Sequence, residues 1–214
     1  LPVTIDAVEL SSIDISSDGS KLAVSWNKVA IIDLIAYNQT IIYNAAMVRF
    51  LPNQNKICYS GIKQNHTGGH DSSIVILDLN TGIRQNIKTE ETIFKSAFSP
   101  DGRFFATGGS GKDLFGKFYT SLKLWDANTL KLIKELEKMD NVNFNFYRIE
   151  FSSNNKLVAY LPYNGEVSIF STESSNLYRK YGVGNQPIQG IGKFCFLNDS
   201  LIAFSSIEPS TLIW

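Results

Sequence analysis

The chain has 214 residues, 43% of them hydrophobic, which suffices to bury one large core or two small ones. Its 20 Lys and Arg balance 20 Asp and Glu, so the formal net charge is zero and nothing draws the molecule bodily toward nucleic acid or an anionic surface. No apolar run approaches the roughly 18 residues of a spanning helix, and "LPVTIDAVEL" lacks the basic start and apolar core of a secretory signal, so no membrane insertion is expected.

In chain order, the first segment, "IDISSDGSKLAVS" from Ile13, reads as a strand, a tight turn and a strand; "KVAIIDL" and "QTIIY" continue it as a third and fourth strand. The second segment repeats the pattern with "VRFLPNQNKICYS", "SIVILDL" and "IRQNI". The third does so with "SAFSPDGRFFATG", "SLKLWDA" and "KLIKEL", and the fourth with "IEFSSNNKLVAYL", "EVSIFST" and "LYRKY". A fifth, "FCFLNDSLIAFSS" followed by "STLIW", stops after its third strand. Each first strand is anchored by an apolar residue (Ile15, Phe50, Phe98, Phe151, Phe196). Asp, Asn, Gly or Pro then make the turn by tolerating or presetting its backbone angles. Third strands end on bulky Ile32, Leu77, Trp125, Phe170 and Trp214, and Asp33, Asp78 and Asp126 follow the first three, placed to cap the next turn. The repeat length of about 45 residues is that of four-stranded propeller blades, and helical periodicity is absent.

The unit "SPDGRFFATGG … SLKLWD" resembles a WD-repeat, and the array resembles part of a WD-repeat β-propeller. The resemblance covers nearly the whole chain, although only the third unit matches closely. Asn53, Asn154 and Asn198 stand at the place of Asp101, and no Gly-His pair precedes any first strand, so the His, Ser/Thr, Asp, Trp hydrogen-bond set of the family is not expected to assemble. The expected fold is therefore all-β, a β-propeller of four-stranded antiparallel blades with about five blades present, in one domain over residues 1–214 with blades near 11–43, 46–87, 94–136, 147–181 and 191–214. Two closures remain open. "PVTIDAV" could supply the missing strand of a five-bladed ring, or the chain is a piece of a larger propeller; the second is the expectation, because the last residue of a core strand is an unusual place to stop.

Two lookalike motifs need a decision. Gly111 to Lys117 is a glycine, four residues and Gly-Lys, one residue short of a phosphate loop, with Phe118 where a Ser or Thr should hold magnesium. A phosphate loop opens a helix, whereas "FYTSLKLWD" reads as a strand, so no nucleotide or other cofactor is expected. "NHTGGHDSS" puts His66, His70, Asp71 and Ser72 in one loop, but consecutive residues cannot face one another as a triad or fix a zinc ion, so neither catalytic residues nor a metal site are expected. Cys58 and Cys195 lie in apolar runs and read as buried, unbridged thiols of a reducing compartment, which gives an intracellular, cytoplasmic localisation. Glu90, Glu91, Lys131, Lys134 and Lys138 read as solvated strand surface.

Strand parity places the long connections, 62–73, 109–120, 137–147 and 182–190, at one end of the blades and the "SPDG" turns at the other. Several long connections carry aromatics where solvated loops ordinarily carry polar residues, the composition of an interaction face. The expected partner-binding residues are His66, His70, Lys112, Leu114, Phe115, Phe118, Tyr119, Phe144, Phe146 and Tyr147. The expected function is a non-catalytic scaffold, not an enzyme, that presents this face to a protein partner within a larger chain or complex. The alternative is a propeller that docks or gates substrate for a catalytic domain outside this sequence.

Overall fold

A computed structural model describes residues 11–26, 28–43, 45–64, 70–140, 146–162, 166–181, 193–199, 201–205 and 211–213. Every regular element among them is a strand. The first sheet contains β1 (Ser12–Ile15), β2 (Lys21–Ser25), β3 (Lys28–Asp33) and β4 (Gln39–Tyr43), and the second β5 (Ala45–Phe50), β6 (Lys56–Gln64), β7 (His70–Asp78) and β8 (Arg84–Thr89). A third holds β9 (Thr92–Phe98), β10 (Phe104–Lys112), β11 (Phe118–Asp126) and β12 (Leu132–Asp140), and a fourth β13 (Phe146–Phe151), β14 (Leu157–Pro162), β15 (Val167–Ser171) and β16 (Leu177–Tyr181). The fifth has three strands, β17 (Lys193–Phe196), β18 (Ile202–Ser205) and β19 (Thr211–Ile213). In every sheet the strands lie in chain order. The alternative closure, in which "PVTIDAV" pairs with the last strand, falls outside the described residues.

The chain divides into two compact units, Leu1–Phe94 and Lys95–Trp214, with the boundary inside β9. In the first unit the core lies between two sheets: Ala23, Val29, Ile31 and Ile42 of the first pack with Val48, Phe50, Ile57 and Leu77 of the second. In the second unit β14 shows why its sequence is a continuous apolar run. Val158 and Tyr160 join Leu122 and Leu124 of the third sheet, while the alternate residues Ala159 and Leu161 join Phe194 and Ile202 of the fifth. A strand covered on both faces has no polar side to encode.

The inner hairpins repeat one device. Ser16, Ser99 and Ser152 each accept a hydrogen bond at Oγ from the amide five residues on, that of Lys21, Phe104 and Leu157, at 2.9, 2.9 and 3.0 Å. Each hydroxyl donates in turn to the side-chain oxygen two residues ahead, on Asp18, Asp101 or Asn154, at 2.6, 2.6 and 2.8 Å. Gly19, Gly102 and Asn155 then take the left-handed conformation that closes the turn. Neighbouring sheets are tied where these turns meet: Asn154 N donates to Asp199 Oδ1 at 2.8 Å, and Asp101 N to Asn155 Oδ1 at 2.9 Å. Inner strands are tied likewise, since Asp14 accepts Phe50 N at 2.7 Å and Glu150 accepts Phe196 N at 3.2 Å.

Outer hairpins carry the expected carboxylate caps. Asp33 Oδ1 accepts the amides of Ile35 and Ala36, Asp78 Oδ1 those of Asn80 and Thr81, and Asp126 Oδ1 those of Asn128 and Thr129. The fourth residue of each of these outer loops is left-handed, and it is Tyr37, Gly82, Leu130 or Ser175.

Two expectations are corrected, those for Glu91 and Cys195. Glu91 is buried at 1% exposure while Glu90 is exposed, the two sharing the bend between β8 and β9. Lys134 and Lys138 are exposed but engaged, Lys134 Nζ donating to Ser175 O at 3.0 Å and Lys138 Nζ lying 4.1 Å from the Tyr119 ring centre. Both cysteines are free thiols, but only Cys58 is fully buried; Cys195 alternates with core-facing Phe194 on β17 and is half-buried.

Candidate protein-docking hairpin

The stretch that mimics a phosphate loop is the top of a hairpin. β10 and β11, nine residues each, pair without interruption from Phe104 opposite Asp126 to Lys112 opposite Phe118, leaving only residues 113–117 as a connection. No helix follows Lys117, so the amides and dipole that would hold a phosphate are missing there. The long loop expected over 109–120 is thus corrected to a long ribbon. Likewise β6 and β7 pair out to Gln64 and His70, which shortens the connection expected over 62–73.

The ribbon is anchored at its base. Phe105 and Trp125 stack with ring centres 5.7 Å apart, and Trp125 Nε1 donates to Thr107 Oγ1 at 2.8 Å. That bond fastens β11 to β10 at the foot of the ribbon. Higher up, the Ser110 and Thr120 hydroxyls meet across the strands at 3.2 Å in a buried position.

The tip is closed by Asp113. Its backbone exchanges hydrogen bonds with the far side of the loop, Asp113 N to Lys117 O and Gly116 N to Asp113 O, each 2.9 Å. Its carboxylate turns inward, where Oδ1 accepts Phe115 N at 2.9 Å and Lys117 N at 2.8 Å. Gly116 has φ of +77°, and a Cβ placed there would meet nothing within 4 Å, so its requirement is conformational and not steric. Leu114 is left 100% exposed and Phe115 88% exposed, two large apolar side chains on a hydrogen-bonded backbone.

The expected partner-binding set separates on the structure. Lys112, Leu114, Phe115 and Phe118 share this hairpin, with Lys112 Nζ 4.7 Å from the Phe118 ring centre and Phe118 42% exposed. Tyr119 leaves the set: strand alternation turns it inward to 5% exposure, beneath the Lys138 ammonium. His66 and Phe144 lie outside the described residues. His70, Phe146 and Tyr147 are in β7 and β13 by backbone, and their side chains lie outside the description. Sequence reading missed Asp113 as organiser and Lys117 as an exposed flank, although Asp with Gly three residues on is a turn signature.

Elsewhere, the first unit has a polar cleft of about 350 Å³ lined by Ser16, Asp18 and Asn53 to Asn55, and a groove of about 320 Å³ bordered by Lys21, Asp33, Asp78 and Arg84. No cluster of three His, Cys, Asp or Glu able to hold a metal occurs among the described residues.

No protein-family model and no curated protein sequence matches the chain. Among solved structures it is similar to hydrazine synthase of Kuenenia stuttgartiensis, with a TM-score of 0.70 at 14% identity over 94% of this chain and 70% of that one. It is also similar to the β-propeller domain of Cps50 (Swd1) of Myceliophteria thermophila, with a TM-score of 0.62 at 11% identity over 96% of this chain and 69% of that one. At such identities the likeness is one of fold: the chain is an all-β β-propeller of antiparallel blades.

Proposed function

We propose that the chain is a non-catalytic protein-interaction module of the WD-repeat kind, and that the tip of the β10–β11 hairpin is its docking element. The observation that carries the reading is the pair Leu114 and Phe115, 100% and 88% exposed on a tip whose backbone is held by Asp113. Large apolar side chains on a preorganised backbone bind at low entropic cost, and aromatic anchors dominate interface energies. The WD-repeat assignment is supported by "SPDGRFFATGG … SLKLWD" together with the Trp125–Thr107 bond, and by the propeller fold.

The test places a photoreactive phenylalanine analogue at position 115, crosslinks in the native source, and measures the captured partner against Leu114→Ala/Phe115→Ala. The double variant should lose about 1 to 4 kcal/mol of binding with an unchanged Tm. Unaltered binding by this variant would mean that the docking surface lies elsewhere.

A further inference from the structure

We infer that the surface receiving the hairpin tip is an apolar pocket on a protein, rimmed by carboxylates; this rests on the docking reading above. The chain as a whole is neutral, but the tip is not. Lys112 and Lys117 flank Leu114 and Phe115 on the two arms, and neither ammonium has an ion-pair partner among the described residues. The one carboxylate of the tip, Asp113, has Oδ1 turned to the amides of Phe115 and Lys117, so against Lys112 and Lys117 the tip keeps an excess of one positive charge. Lys138 adds a third ammonium on β12, and Asp140, opposite Tyr119 in the ladder, is the carboxylate beside it. Two apolar side chains between two unpaired ammonium groups complement a pocket whose rim is negative, where rim charges set encounter rate and salt dependence.

An anionic bilayer offers similar chemistry, and magnitude decides against it. A single myristoyl chain of about 14 carbons holds a protein to a bilayer only marginally, and the Leu114 and Phe115 side chains bring about 11 between them. Phe118 cannot add its whole ring, since Lys112 lies over it, and Tyr119 is buried. Two such side chains do suffice for an interface hot spot.

The experiment measures the partner crosslinked at position 115 against the wild-type chain, Lys117→Glu and Lys112→Glu/Lys117→Glu, with Tm recorded for each. Affinity of the wild type should fall at least about tenfold between about 0.05 and 0.5 M salt, as screening removes the rim term. The charge reversals should weaken binding at least about tenfold at low salt and flatten that slope. The crosslinked peptide of the partner should contain Asp or Glu. If Leu114→Ala/Phe115→Ala abolishes binding while salt and the reversals leave it unmoved, the pocket is plainly apolar and this inference fails while docking stands. If instead vesicles of phosphatidylcholine and phosphatidylserine at about 7:3 sediment the wild type but not the double alanine variant, the receiving surface is a bilayer and the inference is overturned. Indifference of the captured partner to Leu114 and Phe115 removes the docking reading itself.

Discussion

In several exposed turns one carboxylate oxygen is the organiser, and its protonation has a measurable cost. The hydroxyl of Ser16, then the amide and hydroxyl of Ser20, hold the Asp18 carboxyl down at about 2. Asp33, Asp78 and Asp126 are lowered in the same way, first by the amides of Ala36, Thr81 and Thr129. A carboxyl lowered by folding contributes stability that is present above its unfolded value, near about 4, and is lost as pH falls through the folded one. Asn can still accept through Oδ1, as Asn154 does, but cannot be protonated in this range. Asp18→Asn should therefore have a urea midpoint close to wild type at neutral pH and fall less steeply between about pH 4 and 2; parallel curves would remove Asp18 from the acid limb. The thiols provide a second residue-scale test. Burial pushes Cys58 up to about 12, whereas Cys195 is half-buried, so a maleimide should modify Cys195 well before Cys58 in the native protein. Faster reaction at Cys58 would contradict its placement in the core.

At the scale of the element, the turns were legible and the strand ends were not. Ser, Asp, Asn and Gly at fixed offsets announce an inner hairpin because each supplies a specific bond or backbone angle. By contrast, Gly108, Gly109 and Gly111 argue locally against a strand, yet β10 runs through them because the register set lower in the hairpin keeps supplying ladder bonds. That extension decides the candidate site. Read as a loop, 109–120 has no parity and Phe118 and Tyr119 look alike; read as a ladder, one faces out and the other in. The outer loops allow a paired test of backbone strain. Gly82 and Tyr37 hold the same left-handed position, at φ of +73° and +53°. Gly82→Ala should cost about 1 kcal/mol, while Tyr37→Gly should be neutral or stabilising by up to about 1 kcal/mol, both read from urea midpoints. Equal losses in the two variants would mean that contacts of the side chains, and not backbone conformation, govern these loops.

For the molecule as a whole, the repeated sheets confine the effect of a core change. Leu161 is completely buried between the fourth and fifth sheets, with no apolar role in the first two. Leu161→Ala should cost about 2 to 5 kcal/mol, and hydrogen exchange should show protection lost first in β13 to β19 and least in β1 to β8, since sheets of a repeat array depend mainly on their neighbours. Uniform loss across all sheets would indicate a single cooperative block. The inner turns carry a further consequence for how such a chain can vary. The position two after the serine is filled by Asp18, Asp101 or Asn154, and what the turn uses there is one acceptor oxygen; the closing position is filled by Gly19, Gly102 or Asn155, and what it uses is one permissive φ. In the second sheet even the hydroxyl is gone, with Leu51 in its place, and backbone bonds hold the turn, from Leu51 N to Lys56 O at 2.9 Å and from Gln54 N to Leu51 O at 3.2 Å. The blade is thus written in a degenerate code, in which hydrogen-bonding valence and torsional permission are the letters and several residues spell each one. A protein so specified can exchange synonyms turn by turn until little shared spelling remains, and still superimpose on distant propellers.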